Sequence, residues 1–241
     1  MHSAPIKDPP EGRRARRQRE SGNTIIEFAI VLSFLVPMFA GAFTIGMGLT
    51  KAIQVSNVTW DAVILMVTAN TNSQSGLNLS EAQNQTILVQ ASQGLGMNTA
   101  GTNNPSSTGN GEIILSQVVM VGPTECSNAG LTPNSSAPLW STSNCPNYGS
   151  YAFEYRVVIG NTAQGSSVFG NPGVPVASNG TVSASNIASN ANDVTTMFPT
   201  ATGMTLSPST YALVAEMYAN VSYLNFFNLM HNPIIYARSI S

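Results

Sequence analysis

The stretch Ser21-Gly22-Asn23-Thr24-Ile25-Ile26-Glu27-Phe28, with the apolar run that follows it to Leu49, decides how this chain is read. From Phe28 to Thr50 there is no charged residue. About 22 residues at ~1.5 Å each give a helix of roughly 33 Å, which matches a hydrocarbon core ~30 Å thick. A buried helix of a soluble protein would need a large apolar shell, and nothing downstream is apolar enough to supply one. Residues 23–50 therefore read as one membrane-spanning helix. A secretory signal has a shorter apolar region, with its small-residue cleavage site behind it. Here the small residue, Gly22, stands in front, so the helix is expected to stay attached.

Charge is unevenly distributed about this span. Lys7, Arg13, Arg14, Arg16, Arg17 and Arg19 are six of the nine basic residues. Residues 1–22, which also carry Pro5, Pro9, Pro10 and Gly12, hold too little apolar content to fold and read as a basic cytoplasmic leader. The positive-inside rule then puts the amino terminus in the cytoplasm and Lys51 onward outside. A nucleic-acid patch is the other reading of the arginines, but the adjacent span accounts for them without it. If the chain is cut after Gly22, three basic residues face eight acidic ones (eleven less Asp8, Glu11 and Glu20), and nucleic acid is not an expected partner. Charged residues are 8% of the whole chain, against roughly 25% in a typical soluble protein. The solvated surface must be built from Asn, Ser, Thr and Gly, which suits an extracytoplasmic or assembled protein.

Within the span, Glu27 is the anomaly, because a carboxylate in a bilayer needs a partner or a place in the hydrated headgroup layer. Pro37 lacks an amide hydrogen and is expected to kink the helix. Ala42 and Gly46 fall at four-residue spacing, with Gly41 and Gly48 on a second small-residue line. Small residues so spaced let another helix approach closely, although Gly and Pro are also common in membrane helices generally.

Beyond Lys51 the pattern stays helical to about Ala69, with Ala52, Val55, Val58, Ala62, Leu65 and Met66 at three- and four-residue steps. This amphipathic stalk must be covered by the domain that follows. Trp60 suits either the membrane interface or the core. Ser80 can cap a second helix over Glu81–Gln93, stopped by Gly94, which completes a segment 51–95. Residues 96–241 read as a β-rich domain. Alternation predicts strands at 112–121, 151–159, 213–223 and 234–240, with Tyr151, Phe153, Tyr155, Val157 and Ile159 on one face. Residues 123–150 and 160–210 read as long, loose connections, with a short helix near Ile187–Met197. The fold class is thus α+β: a long amino-terminal helix packed on a small antiparallel sheet with long loops.

Cys126 and Cys145 are the only cysteines. In an oxidising compartment they can pair, closing a loop worth roughly 3 kcal/mol; a metal site is the rival reading, and no His lies near them. No cofactor or metal is expected, because no cluster has ligand spacing and no Gly-rich phosphate loop is present. A Ser nucleophile with His231 is the one catalytic arrangement left open.

The spacing of Gly22, Asn23, Glu27 and Phe28 behind an arginine-rich stretch resembles the processing site of type IV pilin-like precursors. That resemblance implies a cut by a prepilin peptidase between Gly22 and Asn23, with Glu27 and Phe28 acting in assembly. The longer block from Arg19 to Leu32, followed by an apolar helix with a proline, resembles the opening of the TadE-like pseudopilins of tight-adherence pilus systems. The ending, Leu224-Asn225-Phe226-Phe227-Asn228-Leu229 and a last short strand through Ala237-Arg238, is also similar to that family. The resemblance implies a non-catalytic, single-pass protein of the bacterial inner membrane, amino terminus cytoplasmic and carboxy-terminal domain periplasmic or extracellular. Its implied partners are the peptidase, other pilins or pseudopilins and the inner-membrane assembly platform, with no small-molecule substrate. The long Asn/Ser/Gly-rich connections and the cysteine pair depart from the family. They leave a second reading, a signal-anchored envelope protein that binds a surface ligand through those loops.

Overall fold

The computed structural model describes residues 12–72, 88–98, 105–106, 108–222 and 234–241, with side chains from Thr24 apart from 69–72 and 105–106. Helix α1 is Gly12–Asn72 and is helical through Pro37: it runs three residues past the expected end, and it starts eleven residues before Asn23, so residues 12–22 of the expected unfolded leader are helical, continuing the helix of the span. The chain divides into two compact units, Met1–Met47 and Gly48–Ser241. In the first, the side chains of Phe28, Phe34 and Met38 are all exposed. Thr24–Thr68 is long and apolar enough to cross a membrane.

The second unit is built on a sheet of β1 (Pro105–Ser106), β2 (Gly111–Met120), β3 (Tyr151–Asn161), β4 (Tyr211–Asn220) and β5 (Ile234–Ile240). The order is β1-β3-β2-β4-β5. The four long strands are antiparallel, and β1 joins β3 in parallel for two residues. Period-two side chains put Ile113 opposite Ile159 and Met217, and Leu115 opposite Val157 and Ala215. These residues form one cluster with Val55, Val58, Ala62, Val63 and Met66 of α1, so the apolar stripe of the helix closes over this sheet face. The architecture is α+β.

Several expectations fail in detail. Phe153 does not share a face with Tyr155, Val157 and Ile159. The β2–β3 register shifts between Gln117 and Val118, leaving Glu154 unpaired. This bulge turns Phe153 into a second cluster, because one extra residue inverts the alternation. Strand β4 ends at Asn220, not 223: the Asn220 side chain accepts the Ser222 amide and turns the chain out of the sheet. Tyr223 lies outside the described residues. Of the second helix, residues 81–87 lie outside the described residues, and 88–91 are helical. Gly94 does not stop it, since it lies within a 3-10 turn, Gln93–Leu95, and Gly96 takes the left-handed conformation instead (φ 67°). A Cβ at Gly94 would lie 2.7 Å from the Gln54 amide nitrogen, the end of a flexible side chain that packs over it from α1.

The connections are not loose. They carry α2 (Pro123–Asn128), α3 (Ala184–Ser189) and α4 (Met197–Thr202), with a 3-10 turn at Ala191–Asp193; the single helix expected over 187–197 is therefore divided. Cys126, Cys145, Phe169, Ile187, Ala188 and Phe198 join Val118, Phe153 and Val214 in the second cluster. Widely spaced apolar residues, each anchoring a stretch of polar chain, cover the sheet without leaving a periodic trace.

Gly160 tests the tightness of the β2–β3 pair. Its φ is +96°, and a Cβ there would lie 2.3 Å from the Gly111 carbonyl oxygen, whereas a Cβ at Gly130 (φ +75°) would meet nothing. Gly130→Ala should lose about 1–2 kcal/mol from the backbone alone. Gly160→Ala adds a backbone clash and should lose clearly more in denaturant titrations of the full chain.

Candidate functional site

Gly22 and Asn23 lie within the helical backbone of α1. A peptidase that reads an extended substrate would have to unwind this turn to cut between them. Glu27 and Phe28 are both exposed, and Phe28 is surrounded by exposed apolar neighbours, Ile25 and Val31 among them. At Gly41, Gly46 and Gly48 a built Cβ meets nothing within 4 Å, Gly41 and Gly48 are half-buried, and Ala42 is exposed. The Ser33 and Thr44 hydroxyls donate back to the Ile30 and Ala40 carbonyls (2.7 Å each), which suits polar side chains in an apolar medium.

In the second unit α1 has two faces. Val55, Val58, Ala62 and Met66 are buried, while Ile53, Trp60, Ile64 and Val67 are exposed on the other side at steps of seven, four and three. Trp60 is 58% exposed and is not a core residue. No described residue covers this outer stripe, which extends about 21 Å at ~1.5 Å per residue. Lys51 donates to the Gly94 carbonyl and to Gln54 Oε1, tying the helix to the segment after residue 88.

The sheet face turned away from α1 carries a polar cluster that periodicity alone does not announce. Arg156 Nη1 donates to Ser116 Oγ and to Ser167 Oγ (3.3 Å), and Nη2 to the Gly170 carbonyl and Asn171 Oδ1 (2.6 Å). Ser167 Oγ donates in turn to Glu216, whose other oxygen accepts the Val168 amide (2.9 Å) and the Tyr236 hydroxyl (3.1 Å). Glu112 accepts the Gly165 amide (3.0 Å), and Tyr218 donates to the Ser166 carbonyl. The cluster therefore fastens residues 165–171 down onto the sheet.

Burial dominates its electrostatics. It pushes the Glu112 carboxyl up to about 7 and the Arg156 guanidinium down to about 10, the latter against the opposing pull of Glu216 and Glu112. Tyr218 is raised to about 12 by burial and by Glu216, and Tyr236 is raised for the same reasons. A hydroxyl-bridged Arg–Glu pair whose donors are committed to protein acceptors is suited to holding a loop. Only one signal in the sequence pointed to it: charged and polar residues, Glu112, Ser116, Arg156 and Glu216, inside otherwise apolar strands.

Cys126 and Cys145 are at disulfide distance, with Cα atoms 5.8 Å apart. Two residues beyond the loop they close, Asn147 Nδ2 donates to the carbonyls of Ile187 in α3 (2.8 Å) and of Asn190 just after it (3.0 Å). A groove of about 370 Å³ opens at the outer edge of β3, lined by Arg156, Val158, Asn171, Pro172, Ser178 and Gly180 among others. No group of three or more metal-ligating side chains exists among the described residues, and His231 lies outside them. No protein-family model, curated protein or solved structure matches this chain.

The cluster gives a quantitative expectation. Arg156→Met leaves Glu216 buried without its cation and should destabilise the domain by about 3–5 kcal/mol. Arg156→Lys should recover only part of this, because an ammonium cannot reach four acceptors spread around a planar fork. Chemical denaturation of both variants checks the order.

Proposed function

We propose that this chain is a pseudopilin-like, non-catalytic membrane protein that takes part in assembling a tight-adherence (Flp-type) pilus or a related secretion machine. The observation that carries this reading is the exposed stripe Ile53, Trp60, Ile64 and Val67. A simple anchor needs apolar surface only over the bilayer, about 20 residues of helix. Here the apolar surface continues past Lys51 on the face of α1 opposite its own sheet, where the natural cover is protein. Steps of three, four and seven suit another helix, as in a bundle.

In this reading the six basic residues before the span keep the amino terminus in the cytoplasm. The prepilin peptidase cuts between Gly22 and Asn23, and Glu27 offers its carboxylate to the new amino terminus of a neighbouring subunit. Glu27 is four residues from Asn23, about 6 Å along the axis, so both groups lie near one membrane face. A paired amine offsets part of the carboxylate's burial, and such a pair sets register more than it adds stability.

The second reading, a signal-anchored envelope protein that binds a surface ligand, is favoured by the groove at the β3 edge, whose Asn171, Ser178 and Gly180 come from the polar connections.

Mass and amino-terminal sequence of protein purified from membranes separate the two. The assembly reading expects Asn23 as first residue, an uncut precursor for Gly22→Leu, and a processed but unassembled protein for Glu27→Gln. Ile53→Glu with Trp60→Glu should leave processing and the domain fold intact while abolishing co-purification with assembly partners. A native protein that keeps Met1 through Gly22, or a double variant that still assembles, would sink this reading.

A further inference from the structure

Asp193 closes the 3-10 turn Ala191–Asp193 on the connection between α3 and α4. Its side chain is fully buried, and neither carboxylate oxygen has a hydrogen-bond donor among the described residues. An ionised carboxylate in such a place loses its hydration with nothing in return, and takes up a proton instead. The segment around it is a tie point. The Asn190 carbonyl accepts from Asn147, and the Asn192 carbonyl accepts the Gly173 amide (2.9 Å). Val194 bridges Ala152, the Thr195 amide donates to the Tyr151 carbonyl (2.8 Å), and Thr195 Oγ1 donates to the Phe169 carbonyl (2.6 Å). Six residues thus hold together the chain just after Cys145, the connection from β3 to α3 and the start of β3. All these ties run to backbone carbonyls or amides, so the carboxyl among them is the group that titrates.

We propose that Asp193 is a pH-sensitive latch, whose protonated form holds residues 190–195 closed over the second cluster and whose ionisation at higher pH favours opening of that segment. Burial alone raises its pKa, to about 7. The titratable residues on the elements tied to this segment are Tyr148 and, on β3, Tyr151, Glu154, Tyr155 and Arg156, with Arg238 lying over Phe169. None of them contributes to the shift, and the two cysteines are joined. The folded value lies above the unfolded one, about 3.9. The stabilisation is therefore complete below about pH 4, and it is lost as pH rises toward 7. Between pH 5 and 8 this one group should raise the unfolding equilibrium constant on the order of 100-fold. Glu112, also raised to about 7, and Glu154, raised by burial and by Glu125, act with the same sign, so the comparison belongs in a background carrying Glu112→Gln and Glu154→Gln.

The chain has three aspartates, Asp8, Asp61 and Asp193. Labelling aspartate with ¹³C at the carboxyl of the full chain in detergent micelles therefore gives three signals to titrate. One signal should titrate with a midpoint near 7 and be missing from Asp193→Asn. The pH dependence of unfolding between 5 and 8 should flatten in that variant. If it does not fold, the titration of the unaltered chain still decides. Three midpoints below about 5.5 overturn the latch, as does a shift of the Asp193 signal on adding Ca²⁺ or Mg²⁺, which would make the carboxylate a cation ligand.

Discussion

Val55, Val58, Ala62 and Met66 lie along one side of α1 and are buried with Leu115, Tyr155, Val157 and Met217 of the sheet. This contact sets much else in the second unit. Each such side chain contributes about 1.5–3 kcal/mol when fully buried, enough together to fix both the rotation of the helix and the face of the sheet it covers. Once the rotation is fixed, Ile53, Trp60, Ile64 and Val67 must point outward. An exposed stripe of that kind is not a packing failure. It is the consequence of a helix with apolar residues on two sides and one sheet to cover them.

Fixing one face of the sheet leaves the other to be closed by the connections, and these are poor in apolar residues. Phe169, Phe198 and Ile187 supply the anchors of the connection from β3 to β4, and the disulfide closes the loop between α2 and β3. Near the β1 end the closure is polar: Arg156, Ser167 and Glu216 replace what would be a hydrophobic layer. Such a network adds little net stability over an apolar one, but removing one member is costly, so it selects one position for residues 165–171. The bulge at Glu154 belongs to the same solution. By inverting the alternation of β3 there, it lets Phe153 join the second cluster while Arg156 reaches the polar one.

The parts legible in the sequence were those with a strong period. Residues 52–66 repeat at three and four, and 213–219 and 155–159 repeat at two, so helix, strands and covered face could be read off directly. The bulge could not, because Tyr151-Ala152-Phe153-Glu154-Tyr155 alternates without interruption and the extra residue is dictated by β2. The packed connections were illegible for a different reason: single aromatics such as Phe169 and Phe198, separated by nearly thirty residues, carry no period at all. Gly94 illustrates a third kind of miss. Its sequence position suits a helix stop, but the left-handed turn falls two residues later, at Gly96, and Gly94 instead lies against Gln54, forty residues away.

Cations show how the low charge content and the fold fit together. Downstream of Gly22 there are three, Lys51, Arg156 and Arg238. Lys51 donates to the Gly94 carbonyl, Arg156 to the Gly170 carbonyl, and Arg238 to the Ala201 carbonyl (2.8 Å). Each therefore holds a connecting segment by its main chain, and none stands in a basic surface patch. Arginine is suited to this, since its planar fork bonds several acceptors at once and is only weakly hydrated. Solvation of the surface then falls to Asn, Ser, Thr and Gly, whose neutral groups, in the assembly proposed above, would not repel one another. A chain that had to stay dispersed would gain from a high net charge; one whose helix presents an apolar stripe to a partner gains from having little charge to bring into that contact.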